Sequence, residues 1–87
     1  MEKFEGSKCV LESMIVGLTS CTQSEITVEL SSDNHVEFMV RVPKSHAGRV
    51  IGKYGDVIKS IRSIMYGVTM HQLRMRSHVV VEPYESH

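Results

Sequence analysis

Two glycines enclose the segment whose residue types are best suited to chemistry, Gly52-Lys53-Tyr54-Gly55. Because glycine lacks a Cβ atom, a sugar–phosphate backbone can approach the main chain closely at these positions. The residues that follow form a predicted helix, and the N–H groups and positive dipole end at the start of a helix attract phosphate. Lys53 adds a full positive charge at the tip. The spacing predicts a phosphate-binding loop, although an ordinary corner between two helices needs glycine in the same way.

The residues around this loop extend the predicted site. Ile51 and Ile58 flank it and are predicted to form an apolar floor for bases. Tyr54 could stack on a base or simply lie exposed, and the sequence leaves both open. Asp56 opposes phosphate binding, yet a carboxylate in the first turn of a helix also interacts favourably with the helix dipole. The basic side chains predicted to supply the surrounding positive field are Arg49, Lys59, Arg62 and Lys44.

Charge is unevenly distributed along the chain. The 87 residues carry ten basic and ten acidic side chains, so the formal net charge is zero. Residues 1–40 hold two bases against seven acids, a net charge of −5, whereas residues 41–76 hold eight bases against one acid, a net charge of +7. Such asymmetry points to a polyanion site better than the total does. Taken by itself, this charge distribution is explained equally well by charged side chains that simply lie on solvent-exposed faces of the protein.

Apolar periodicity predicts three helices. Three- and four-residue spacing favours a helix over residues 8–21, with Ser7 as its N-cap and both cysteines of the chain on or beside its apolar side as core thiols. A short helix is predicted from its cap Ser45 to about residue 51. The clearest amphipathic pattern lies over 56–69, directly after the loop.

Alternating apolar residues predict three strands. The first two, over 25–31 and 35–42, are predicted to pair as an antiparallel hairpin, with the side chains Val36, Phe38, Val40 and Val42 facing inward. The third, over 73–82, contains three consecutive valines and could be central and covered on both faces. The predicted fold class is α+β: one domain over residues 1–87, with its core at about 8–83 and helices on one face of a three-stranded sheet.

The segment Val50-Ile-Gly-Lys-Tyr-Gly-Asp-Val-Ile58, followed by Lys59-Ser60-Ile61-Arg62, resembles the signature of KH domains, whose Gly-x-x-Gly loop clamps about four nucleotides of backbone. Two predicted strands precede the loop and one follows, as in the type II KH fold, αββααβ. The chain is similar in length and pattern to the small stand-alone bacterial KH proteins of the KhpA-like family. The resemblance implies single-stranded RNA binding, an RNA-chaperone, ribosome-related or other post-transcriptional role, and pairing with itself or with a larger KH-containing protein.

The resemblance also implies roles for individual residues. Gly52 and Gly55 match the two glycines of the family's loop, and Lys53 matches a basic first variable position. The apolar groove residues correspond to Ile51 and Ile58, and basic positions beside the groove to Arg49 and Arg62. Two residues depart from the pattern: Tyr54 occupies a position usually polar or basic, and Asp56 places a negative charge beside the clamp.

Other classes of protein fit the sequence less well. A nucleotide-binding P-loop needs four residues between its glycines and a hydroxyl after its lysine; Gly48 and Gly52 enclose one residue fewer, and Tyr54 follows the lysine. The five histidines are scattered, with no Cys-x-x-Cys, so neither a metal nor a cofactor is expected. Catalysis has little support, so the protein is predicted not to be an enzyme. No apolar run approaches membrane-spanning length and the start does not resemble a signal peptide, so a cytoplasmic location is expected.

The strongest alternative is a protein-interaction or dimerisation module with little RNA binding. Zero net charge and Asp56 suit a KH fold directed toward protein contacts. Met39 and Val80 are predicted to face outward and could form an exposed apolar patch. The other methionines that could add adaptable surface, although core positions fit most of them better, are Met14, Met65, Met70 and Met75.

Overall fold

The computed structural model describes residues 2–20 and 24–85. Its elements are α1 (Glu5–Thr19), β1 (Glu25–Ser32), β2 (His35–Pro43), α2 (Lys44–Ile51), α3 (Asp56–Leu73) and β3 (Arg76–Tyr84). Single 3₁₀ turns lie at Glu2–Phe4 and Lys53–Gly55. The predicted order of helices and strands is confirmed, and so is the α+β class.

The three strands form one mixed sheet in the order β1-β2-β3. β1 and β2 pair antiparallel, with Val28 opposite Phe38, which confirms the predicted hairpin. β2 and β3 pair in parallel, with Phe38 opposite Val79. A parallel neighbour requires a crossover connection, and α2 and α3 provide it.

The third strand lies at an edge of this sheet, so the prediction of a central strand is wrong. The three consecutive valines of this strand are not covered by other elements on both faces of the sheet. Val79 is buried and Val81 packs against the core, whereas Val80 is half-buried on the opposite face. Arg62 donates from α3 to the carbonyl oxygen of Val79, which therefore points away from β2. Alternate residues of a parallel strand direct their peptide groups to the same side, so Pro83, like Val79, faces the free edge. Because no strand pairs there, the missing N–H of Pro83 breaks no hydrogen bond of the sheet, and β3 continues to Tyr84.

The hydrophobic core lies between the helices and one face of the sheet. β2 supplies its centre, with each of the four predicted inward side chains 0% exposed. The helices cover this face with Leu11 and Ile15 from α1, Val50 from α2, and Ile58, Ile61 and Met65 from α3. At roughly 1.5–3 kcal/mol for each large apolar side chain buried, this single layer is the main stabilising contribution to the fold.

Two helix starts differ from the prediction. α1 begins at Glu5, and Ser7 is a buried residue inside it whose hydroxyl donates to Gln72 Oε1 of α3 at 3.1 Å. Ser7 therefore ties two helices together and does not cap one. α2 begins at Lys44 without a side-chain cap, and the Ser45 hydroxyl lies 3.4 Å from His46 Nδ1. The pre-formed backbone angle of Pro43 leads directly into α2.

The end of α1 and its cysteines also differ from the prediction. Ser20 adopts a left-handed conformation with φ of 59°, and its N–H donates to the Val16 carbonyl, which ends the helix after Thr19. Cys9 is exposed, so its assignment as a core thiol is wrong. Cys21 lies outside the residues that the structure describes.

α3 extends four residues beyond its predicted end. Gly67 does not stop it, because the next turns still bury Thr69 and pack Leu73 against the core. The helix ends where Arg74 adopts a left-handed conformation with φ of 54°. Tertiary burial thus outweighs the local preference of glycine to end a helix.

We expect Gly67→Ala to stabilise the protein by about 0.5–1 kcal/mol, because alanine restricts the unfolded chain and favours helix. Gly67 is exposed within α3, and an added Cβ would meet no atom within 4 Å. Chemical denaturation monitored by circular dichroism measures the change. An unchanged or lower midpoint would show that this face of α3 is not free to accept a side chain.

In the described part of the chain, no helix is both long enough and apolar enough to cross a bilayer.

Candidate nucleic-acid interface

The segment between α2 and α3 reverses direction through three residues with positive φ. Gly52 ends α2 with φ of 80° and ψ of 172°, and its N–H donates to the Gly48 carbonyl at 2.8 Å. Tyr54 and Gly55 follow with φ of 58° and 76°. The predicted interruption of two helices by Gly-x-x-Gly is therefore present as a tight single turn. Tyrosine is unusual at positive φ, so Tyr54 contributes local strain to this turn.

The two glycines serve different purposes. A Cβ added to Gly52 would lie 2.5 Å from Val57 Cγ2 and 2.8 Å from the Val57 backbone nitrogen, so the packing of α3 on the turn requires a glycine here. A Cβ at Gly55 would lie no closer than 3.9 Å, from Lys59 Cε. The open main chain that a phosphate backbone could approach is thus at Gly55, with the stem of Lys59 beside it.

The start of α3 has fewer unbonded amides than the sequence predicts. The Gly55 N–H donates to the Gly52 carbonyl at 3.1 Å, and the Asp56 N–H donates to the Lys53 carbonyl. Both are groups that the first turn of a helix normally leaves without an intrahelical partner. The turn itself uses them, so side-chain charge must carry more of any phosphate binding here than backbone N–H groups.

Lys53 and Tyr54 form the exposed tip. Tyr54 is 82% exposed, and Lys53 Nζ lies 5.5 Å from the centre of its ring. This cation–π contact covers one face of the ring and holds the ammonium group at the loop. The other alternative for Tyr54, base stacking, stays a prediction.

The two isoleucines beside the loop do not contribute equally. Ile51 is 39% exposed at the end of α2 and offers apolar surface. Ile58 is only 6% exposed and belongs to the hydrophobic core. A base lying here would contact Ile51 directly, whereas Ile58 supports the surface from beneath.

The predicted basic residues separate into three kinds of environment. Arg49 lies exposed in the last turn of α2, and Lys59 lies exposed with its stem beside Gly55. Arg62 is also exposed, but its Nε donates to the Val79 carbonyl at 3.0 Å, which ties α3 to the free edge of β3. Lys44 lies at the other end of α2, roughly 10 Å along the helix axis from Ile51. The structure therefore does not bring Lys44 to the loop.

Carboxylates neutralise bases elsewhere on the molecule. The ion pairs within residues 2–20 and 24–85 are Arg41 with Glu25, Arg41 with Glu82, and Lys44 with Glu85, at 3.4 to 3.6 Å. The bases around the loop have no ion-pair partner within those ranges. Residues 57–81 contain no Asp or Glu at all, which leaves Asp56 as the acid beside the turn. The bases around the turn are thus exposed without the ion pairs that Arg41 and Lys44 make.

Two features of this region escaped the sequence reasoning. The Arg62 bridge to β3 joins residues 17 apart, and nothing local signals it. Tyr66 is 45% exposed on α3, where its spacing of four from Arg62 was available as a signal. The amphipathic pattern over 56–69 drew attention only to the apolar side of the helix.

The element order αββααβ, the mixed three-stranded sheet and the glycine turn between two helices define a type II KH fold. A scan against protein-family models agrees: the KhpA/KhpB KH-domain model matches residues 8–81. The chain belongs to this family, as the resemblance in the sequence implied. Membership in it indicates an RNA-binding domain. A search of curated proteins found no match.

Proposed function

We propose that this protein binds single-stranded RNA with the sugar–phosphate backbone lying over the turn of residues 52–55. The observation that carries the proposal is the group of exposed bases around an open glycine, with no ion-pair partner in the described residues. Nucleic-acid backbones are bound chiefly by such charges, because each phosphate contact releases counterions.

Each side chain has a distinct role in this proposal. Lys53 and Lys59 contact phosphates on the two sides of Gly55, and Arg49 adds positive potential from α2. Ile51 supports a base, with Ile58 beneath it, and the free face of Tyr54 stacks on another.

Arg62 keeps α3 and the edge of β3 at a fixed separation, and its remaining N–H groups face the RNA. Gly52 shapes the turn, and Lys44 makes no contact. Few base-specific groups are involved, so binding is sequence-tolerant.

We also propose that one domain binds weakly and acts together with a second KH domain. A single turn contacts few phosphates, whereas two linked sites raise the effective concentration of the strand. The second domain would come from another copy of the chain or from a larger KH-containing protein. The corresponding role is that of a cytoplasmic RNA chaperone or ribosome-related, post-transcriptional factor. Nanomolar binding of a four-nucleotide RNA by the monomer at physiological salt would contradict this part.

The test is a fluorescence-anisotropy titration of labelled single-stranded RNA with wild type and with Lys53→Asp/Tyr54→Asp. Affinity is expected to fall at least about tenfold, because two carboxylates then face the phosphates. The fold should persist, since aspartate tolerates positive φ better than tyrosine does. Circular dichroism checks this.

The matched control is Lys44→Asp/Ser45→Asp, which makes the same charge change at the far end of α2. Asp at a helix start is favourable, so this variant also folds. Equal loss in both variants would mean that net charge, and not the glycine turn, governs binding. Binding absent from wild type would favour the alternative function.

That alternative is a protein-interaction module that uses the outer face of the sheet. Met39 and Val80 are adjacent in register there, and both are half-buried. The apolar area is small, because the neighbouring outward-facing residues of β2 on either side of Met39 are Glu37 and Arg41. Met65 and Met75 do not enlarge it, since both are buried in the core. Association through this face would be insensitive to salt, unlike RNA binding.

A further inference from the structure

One face of α3 continues the positive surface away from the glycine turn. Lys59, Arg62, Tyr66 and Met70 follow one another at spacings of three and four, so they lie along one side of the helix. All four are exposed. The Arg62 contact with Val79 shows that this side borders the free edge of β3. The exposed face therefore lies beside the free edge of β3.

The chemistry of this face suits a polyanion with planar groups. It places two bases before an aromatic ring, and exposed Arg74 follows at the end of the helix. Residues 57–81 contain no acid, so the one carboxylate that α3 itself places near this face is Asp56 in its first turn. Basic side chains interleaved with aromatic rings bind single strands by charge and by stacking. An apolar protein surface docked here would leave Lys59 and Arg62 without solvent or a counter-charge.

We propose that an RNA strand longer than four nucleotides continues from the glycine turn along this face and stacks a base on Tyr66. The inference rests on the proposed function and extends it to a second segment of the strand. Tyr66 lies about 15 Å along the axis from the start of α3. A strand stacked at about 3.4 Å per nucleotide covers that distance with about four further nucleotides.

The experiment compares oligouridines of four and eight nucleotides in anisotropy titrations with wild type and Tyr66→Ala. The variant is expected to bind the octamer about five- to tenfold more weakly, because it loses one base–aromatic stack. Its affinity for the tetramer, which ends before Tyr66, should change less than about twofold. Tyr66→Phe keeps an aromatic ring and should bind both RNAs like wild type.

Ile64→Ala is the matched control, since it removes an exposed apolar side chain of similar exposure from the other side of the same helix. It should leave both affinities unchanged. Equal weakening of tetramer and octamer by Tyr66→Ala would overturn the extension while leaving RNA binding at the turn intact. So would an octamer affinity that Tyr66→Ala does not alter. Wild type that binds neither RNA would overturn the proposed function as well.

Discussion

Gly52→Ala is expected to destabilise the protein by about 2–6 kcal/mol. Its backbone angles, φ of 80° and ψ of 172°, lie in a region essentially restricted to glycine, which costs a side chain about 1–3 kcal/mol. The added Cβ would also lie 2.5 Å from Val57 Cγ2 and 2.8 Å from the Val57 nitrogen. The backbone must move to relieve this second contact, which adds about 1–3 kcal/mol. At about 4–8 °C for each kcal/mol in a domain of this size, the melting temperature should fall by at least about 8 °C.

Gly55→Asn provides the control, because asparagine tolerates the left-handed conformation of Gly55 and the space around it is open. We expect a loss of at most about 1 kcal/mol for this variant. Differential scanning calorimetry of both variants gives the comparison. If Gly52→Ala melted within a few degrees of wild type, the close packing of α3 on the turn would be wrong. A large loss at Gly55 instead would reverse the roles assigned to the two glycines.

This difference between the glycines shows where sequence reasoning ends. The Gly-x-x-Gly spacing was sufficient to locate the turn, because glycine adopts positive φ readily and both of these glycines do so between two helices. It could not assign separate roles, since the contact that excludes a side chain at Gly52 comes from Val57 of the next helix. The role of each glycine depends on how α3 packs, and a spacing pattern contains no information on packing.

The fold was predictable wherever a pattern repeated along one element. Strict alternation over β2 identified the four valine and phenylalanine side chains that this strand buries, because one face of the strand is fully covered. The start of α1 was not predictable, because a distant residue determines it. Ser7 was expected to cap α1, but it is buried against Gln72, 65 residues away. Likewise the sequence allowed β3 to be central and covered on both faces, since valines suit a buried strand and a half-buried edge equally.

In the candidate site too, residues close to the glycines in sequence were predictable and those placed by packing were not. Arg49, Lys53 and Lys59 were assigned from their distance in sequence to the glycines, and the helices keep them close. Lys44 was assigned on charge alone, and it is the first residue of the eight-residue helix α2, at the end far from the turn. Ile58 satisfied the apolar pattern of the groove and of the core simultaneously, and burial places it in the core. Composition cannot decide between such positions, because both require the same residue type.

RNA affinity is expected to fall about twentyfold between 50 and 200 mM monovalent salt. Each phosphate contact contributes about 0.7 to the slope of log affinity against log salt for single strands, so three contacts from Arg49, Lys53 and Lys59 give a slope of about −2. Removing one contact with Lys53→Ala or Lys59→Ala should reduce the slope by about 0.7, and the double variant by about 1.4. Anisotropy titrations at several salt concentrations measure these slopes.

Lys44→Ala removes the same charge from a lysine whose ammonium already lies 3.4 Å from Glu85. Exposed pairs of this kind contribute little to stability, so the variant should fold normally. Its slope should match wild type, because no phosphate contact is lost. If Lys44→Ala lowered the slope as much as Lys53→Ala, RNA would respond to the overall potential of the molecule. If no variant changed the slope, the contacts would lie outside the glycine turn. The slopes therefore test position as well as charge, which affinity at a single salt concentration cannot do.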